Sequence, residues 1–233
     1  MNQIPHPRRG RLIALAGIDG AGKSTLAKAL CAALNDSGHD TILVGKHTVD
    51  VPSDGQQSAY LAAVNAVVYR RAPATGRACS DRYWLFALAA WYDLLDQLVV
   101  RPALLAGRNV VLDNSHHKIL ARYTVNPEVA TDLAQQVFAD LTPADLVLYL
   151  RLTPGEALGR KRDFTALEAG RPDPSEEHFL TYQGTVADEL AHLHNQDAWV
   201  SLDVSEQGPD AVLRRALAAV QEHGLLGVAG HRG

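Results

Sequence analysis

"GIDGAGKST", residues 17–25, follows directly on the apolar run "LIALA" at residues 12–16 and places three glycines, an aspartate and a lysine within nine positions. Glycine weakens the interior of a packed element because it loses more backbone freedom on folding than any other residue. Its concentration here, between a short apolar run and the helical pattern "KSTLAKALCAALNDSG" that begins at Lys23, therefore marks a backbone that must bend closely around something. Core packing supplies no reason for it.

The spacing Gly17-x-x-x-x-Gly22-Lys23-Ser24, with a strand before it and a helix after it, is the phosphate-binding P-loop pattern. Backbone amides from Gly17, Asp19, Gly20, Ala21, Gly22, Ser24 and Thr25 can turn inward around a phosphate chain, and the helix N-terminus adds partial positive charge. Lys23 is placed to reach the terminal phosphates and Ser24 to offer a hydroxyl to Mg²⁺. The motif alone does not separate kinases from GTPases, motor ATPases or ATP-binding regulators.

Working outward, the runs "TILVG", "NVVLDN", "DLVLYLRL" and "AWVSLDV" are short and rich in Val, Leu and Ile, without in/out alternation. Strands of that kind are buried on both faces by helices, the mark of a parallel sheet. Thr153-Pro154-Gly155-Glu156 reads as a capping box with proline at the first helical position, and Gly38 and Gly224 fall where helices would end. The expected fold is an α/β three-layer domain, a parallel sheet of about five strands flanked by helices. Residues 1–10 read as a disordered leader, 11–224 as one domain with a lid around 160–174, and 225–233 as a flexible tail. Residues 45–60 ("GKHTVDVPSDGQQSAY") read as an irregular, substrate-facing loop.

The chain has 233 residues and a formal net charge of −4, which argues against a general nucleic-acid or membrane-surface role. Two cysteines, Cys31 and Cys79, lack metal-type spacing and do not make a disulfide framework. With no signal-peptide core and no long apolar stretch, a cytoplasmic location is expected.

In order along the chain, "LIALAGIDGAGKSTLAKAL", "WLFALAAWYDLLDQLVVRPALLAGRNVVLD", "ADLVLYLRLTPGEALGRKR" and "WVSLDVSEQGPDAVLRRAL" resemble the thymidylate kinases, over about residues 11–220. The resemblance implies a nucleoside monophosphate kinase fold, ATP and Mg²⁺ as cofactors, and transfer of the γ-phosphoryl group to a small-molecule acceptor. Such transfer depends on positioning and charge neutralisation more than on covalent help. Asp113, at the end of "NVVLD", can reach the Mg²⁺ shell or cap the next helix. Arg160, Lys161 and Arg162, with Glu168 and Arg171 beyond them, form either a lid that neutralises the transferred group or a solvated basic helix end. Asp19 matches the family's acidic P-loop residue, which contacts the acceptor's sugar hydroxyl; contact or base help and simple bracing of the loop are both open.

On the acceptor side the resemblance breaks down. Where the family reads Thr-Arg-Glu-Pro-Gly-Gly-Thr, this chain reads "VGKHTVD"; where the family helix has Ala-Asp-Arg, it has Ala90-Trp91-Tyr92; and the family's Asp-Arg pair is Asp113-Asn114. Lys46, His47, Arg82, Tyr92, Asn114, His116 and His117 are the residues expected to face the acceptor, with the alternative that the paired histidines are inert and that Ser80 or Asp81 of "SDRY" merely caps a helix. The apolar helix 84–101 is either fully buried or the contact of a homodimer, the arrangement the resemblance implies. The expectation is an ATP- and Mg²⁺-dependent kinase whose acceptor is a nucleotide, nucleoside or related metabolite other than ordinary dTMP. A true dTMP kinase and a non-catalytic ATP-binding regulator are the alternatives.

Overall fold

The computed structural model describes residues 9–46, 55–70, 72–161, 163–170, 174–194 and 198–225. Its centre is a five-stranded sheet, β1 (Leu12–Ala16), β2 (Thr41–Val44), β3 (Asn109–Leu112), β4 (Leu146–Arg151) and β5 (Trp199–Asp203). The strands run in the order β2-β3-β1-β4-β5, and every neighbouring pair is parallel. β1 pairs with β3 through Leu12↔Val110 and with β4 through Ile13↔Leu146, so the strand that feeds the glycine loop lies in the middle. All five residues of β1 are buried, as expected of a strand covered on both faces.

The helices are α1 (Lys23–Asp36), α2 (Gly55–Tyr69), α3 (Pro73–Ala78), α4 (Asp81–Leu95), α5 (Arg101–Leu105), α6 (His116–Thr124), α7 (Thr131–Gln136), α8 (Pro154–Arg160), α9 (Ala166–Ala169), α10 (Glu176–Leu193) and α11 (Pro209–Glu222). α8 begins with the expected capping box: the Thr153 hydroxyl accepts from the Glu156 amide at 3.3 Å, and the Glu156 carboxylate accepts from the Thr153 amide at 3.0 Å. Ser80 caps α4 by accepting from the Tyr83 amide, so "SDRY" is a helix start. No described helix is long and apolar enough to cross a membrane.

Three expectations are corrected. Residues 55–60, read as irregular loop, are the first turns of α2, whereas 47–54 lie outside the described residues. The ends of the domain reach further than expected: the Gly10 amide donates to the Leu104 carbonyl at 2.8 Å and Leu225 is buried, while the rest of the expected leader and tail, residues 1–8 and 226–233, lies outside the described residues. The helix expected over 84–101 starts at Asp81 and passes through one π-helical turn, Asp96–Val100, into α5. Its inner face (Trp84, Leu85, Trp91, Tyr92, Leu95, Val99) is buried, but Tyr83 and Phe86 remain 46% and 42% exposed.

The π-helical turn places Asp96 inside, where the Arg101 guanidinium donates to it at 2.6 Å and the Thr142 amide at 3.2 Å. Removing Arg101, itself half-exposed, leaves the buried Asp96 carboxylate with the Thr142 amide but no cationic partner. Arg101→Met is expected to lower unfolding stability by about 2 kcal/mol, read from the urea midpoint, and Asp96→Leu combined with Arg101→Met to recover most of that loss.

Candidate active site

The sheet order reverses at β1, and the crevice beyond its C-terminal end is where ligands settle in open α/β sheets. The glycine loop fills that position. Gly20 has φ +89°, and a Cβ there would stand 2.9 Å from the Ala157 carbonyl oxygen, so the loop can run against α8 only with glycine. Gly22 occupies the N-cap of α1 in the left-handed region without a side-chain cap, and α1 has no acidic residue in its first turn. The orphan amides of that turn are therefore left for an anionic ligand.

Lys23 Nζ donates to the carbonyls of Gly17 (2.9 Å) and Ile18 (2.7 Å), which holds the ammonium across the loop. Burial disfavours the charged ammonium and the neighbouring Lys118 adds repulsion; Asp19 and Asp113 oppose both, and the net result is a pKa pushed down to about 7. Asp19 shows the reverse balance. Burial works to raise its carboxyl, but Lys118 and Lys23 outweigh it and hold it well below the usual carboxylate range.

The structure surrounds Asp19 with residues that were not among the candidates. Lys118 Nζ, from α6, is ion-paired to the Asp19 carboxylate, with 13% and 17% of the two side chains exposed. Gln183, from α10, accepts from the Asp19 amide at 3.1 Å and donates to the Glu168 carbonyl at 2.7 Å, joining the P-loop to α9. Arg122, one turn beyond Lys118, donates to the Tyr182 hydroxyl at 2.8 Å and to the Leu167 carbonyl at 3.0 Å. Tyr182 lies against Gly170, where a Cβ would come within 2.6 Å of the ring and φ is +69°. A sequence signal existed for each anchor: Lys118 and Arg122 share one face of α6, and Gln183 interrupts the buried stripe Phe179, Val186, Leu190.

Of the expected site residues, Asp113 follows β3 beside Gly45 and acts electrostatically on Lys23. The exposed Ser24 hydroxyl and the Asp113 carboxylate are hard oxygen donors, and no cluster of three or more His, Cys, Asp or Glu that could hold a metal exists among the described residues. One carboxylate and one hydroxyl fit Mg²⁺, which keeps several waters and takes phosphate oxygens in place of a full protein cage. Arg160 donates to the Val204 carbonyl at 2.6 Å across a cleft walled by Leu26, Ala29, Leu150 and Val212, with Thr25 at its edge. Lys161 pairs with Glu168 at 2.6 Å and adds to the charge around Lys23. Arg162, Arg171 and His47 lie outside the described residues.

The expected acceptor residues do not assemble as one set. Asn114 donates to both the Tyr69 and Tyr92 hydroxyls at 2.9 Å, and the Tyr92 hydroxyl donates in turn to the Ser115 carbonyl, so the Asn114 amide and Tyr92 hydroxyl are committed to one another. Lys46 lies over the Tyr69 ring, 6.0 Å from its centroid. Arg82 is exposed on the outer side of α4, over Phe86. His116 stacks on Phe138 at 5.5 Å and His117 meets Trp199 edge-on at 5.0 Å, both away from Lys118 and the P-loop face. Burial, the dominant influence, lowers the pKa of both, His116 to about 4. These two rings belong to an aromatic layer, correcting their expected place in the cleft: α6 starts at His116, which turns them inward while Lys118 faces Asp19.

A lysine poised near neutrality gives ATP binding a proton signature. A polyphosphate restores the preference for the ammonium, so between about pH 7 and the ordinary lysine range binding must take up a proton. Calorimetry at about pH 8 in Tris and in HEPES is expected to return heats that differ by the buffers' ionisation enthalpies, with net proton uptake. Equal heats in the two buffers contradict the assignment.

No family model matches the chain. It is 31% identical over 153 residues to the thymidylate kinase of Xanthomonas oryzae pv. oryzae (strain PXO99A), covering 66% of this chain and 61% of that protein. It is 33% identical over 155 residues to that of Xanthomonas campestris pv. campestris (strain B100), with the same coverage, and 29% identical over 160 residues to that of Pelodictyon phaeoclathratiforme, covering 67% of this chain and 68% of that protein. The match thus spans about three fifths of the Xanthomonas proteins' length. The solved thymidylate kinase from Candida albicans superposes with a TM-score of 0.68 at 18% identity, covering 93% of each chain. The chain is thus similar in sequence to thymidylate kinases over about two thirds of its length and shares the P-loop fold of the Candida albicans structure.

Proposed function

We propose that the chain is a cytoplasmic, ATP- and Mg²⁺-dependent nucleotide kinase that transfers the γ-phosphoryl group of ATP to a nucleoside monophosphate. The observation that carries this is the layout around Lys23: an apolar cleft rimmed by Arg160 on one side for the base of ATP, and the cations Lys118 and Arg122 on the other for an acceptor. The thymidylate kinases among its relatives support the same reaction class.

Lys23 and Lys161 neutralise charge on the transferring group, and Ser24 and Asp113 serve the metal, which when bound offsets charge on the bridging phosphate oxygens. Asp19 is a poor proton acceptor because Lys118 and Lys23 hold it ionised. A hydroxyl acceptor would gain from a base, whereas a phosphate acceptor arrives already ionised; the electrostatics of Asp19 favour the phosphate.

The names of the relatives propose dTMP as the first acceptor to assay, and they lend no support to the expectation of a different one. One observation favours a related nucleotide as the second reading: with Tyr92 and Asn114 bonded to one another, base recognition falls to other residues. The Candida albicans protein is described as having broad substrate specificity, which makes a panel the proper assay. A homodimer through α4 belongs to the same proposal, supported by the outward Tyr83 and Phe86 together with Tyr60 and Val67 of α2.

Radiolabelled ATP with the common nucleoside monophosphates is expected to label at least one diphosphate product. Lys23→Ala should reduce kcat by about 10²–10³-fold, the loss typical of a principal electrostatic contact. ATP binding without transfer to any acceptor, or full turnover by Lys23→Ala, contradicts the reading. Phe86→Glu is expected to shift the sedimentation equilibrium from dimer to monomer.

A further inference from the structure

Among the described residues, the cations beside the P-loop outnumber the anions that answer them. Lys23, Lys118 and Arg122 all act on the Asp19 carboxylate. Lys161, coming from the end of α8, has its own partner in Glu168, and Asp113 from the end of β3 acts on Lys23. ATP answers Lys23. That leaves Lys118 and Arg122 against Asp19 and, at longer reach, the Glu168 carboxylate already paired with Lys161, and the other partners of Arg122, the Tyr182 hydroxyl and ring and the Leu167 carbonyl, are neutral. Among the described residues nothing takes the Nη1 group of Arg122. A partly buried ionised group is costly unless a counter-charge meets it. If Lys118 served only to brace Asp19, Arg122 would be a surplus.

We infer that Lys118 and Arg122, one helical turn apart on α6, form the anion-binding floor of the acceptor subsite and hold the phosphate monoester of the incoming nucleotide. Lys118 keeps Asp19 on one of its three protons and offers another to the phosphate, while Arg122 offers the free edge of its guanidinium. The grip thereby comes from α6, below the P-loop, and not from α4, where Tyr92 is committed to Asn114 and Ser115. An ionised oxygen of the held phosphate attacks the γ-phosphorus of ATP, the bond from that phosphorus to the bridging oxygen breaks, and ADP leaves with the electron pair. No proton has to move. The inference rests on the nucleotide-kinase reading of this cleft but concerns binding, which can be measured without turnover.

The test compares the affinity of dTMP, dCMP, dAMP and dGMP with that of each matching nucleoside, in the full-length protein and its variants. The wild type is expected to bind its best monophosphate at least about 30-fold more tightly than the nucleoside, and Lys118→Gln and Arg122→Gln to reduce that preference to about threefold or less, with ATP affinity in Arg122→Gln within about threefold of wild type. Lys118→Arg, which retains the charge, should restore most of the preference. Asp19→Asn combined with Lys118→Gln separates bracing from binding: a bracing lysine predicts recovery of the preference, a phosphate-binding one its continued absence. The inference is overturned by an unchanged preference in both single variants, by recovery in the double variant, or by a wild type that binds no monophosphate better than its nucleoside. Monophosphates held through Lys118 and Arg122 but never phosphorylated would leave it standing and remove the kinase reading. Monophosphates phosphorylated with unchanged KM in both variants would do the opposite.

Discussion

Positive charge packed away from water governs this molecule. Lys23, Lys118 and Arg122 come from two different helices and meet around the single carboxylate of Asp19, which itself stands in a loop shaped to receive phosphate. Each ammonium is penalised by burial and by its neighbour, and each is partly rescued by Asp19. The arrangement persists because the surrounding structure fixes it: Gln183 anchors the Asp19 amide from α10, Tyr182 and Leu167 anchor Arg122, and Gly170 gives Tyr182 room to approach. The scaffold thus holds three cationic side chains in fixed positions around one carboxylate, the condition under which electrostatic preorganisation is most effective.

The sheet makes this geometry possible. With β1 central and β3 and β4 on either side, the ends of three neighbouring strands deliver the P-loop, the Asp113 carboxylate with α6 beyond it, and the α8 segment carrying Arg160 and Lys161 to one edge. Distances along the sequence of about a hundred residues collapse into one site, as in the Ser115 hydroxyl that donates to the Leu15 carbonyl at 2.8 Å and pins the start of α6 under β1.

Much of the fold was legible because its signals are local. Five apolar runs, a glycine loop between strand and helix, and the Thr153–Glu156 capping box each depend on neighbours in sequence, and each is found where expected. The acceptor side was less legible, since facing depends on where a helix begins. A start at His116 turns the two histidines toward Phe138 and Trp199 and turns Lys118 toward Asp19, the opposite of what adjacency to Asp113 suggests. Arg82 is expected to face the acceptor, yet Ser80 makes "SDRY" a helix start and the arginine lies outward over Phe86. Gln183 gave a fainter signal, a lone amide within an apolar stripe whose meaning appears only once α10 is docked on α9.

The uncapped beginning of α1 carries one more implication. Its first turn lacks both a side-chain cap and an acidic neighbour, so the leading amides have no side-chain acceptor. An anion bound at this turn would do more than fill a hole: it would complete the end of a secondary-structure element. A ligand that binds there only in the native state would draw the folding equilibrium toward it, so the resistance of the whole domain to heat and to proteases would rise with its concentration.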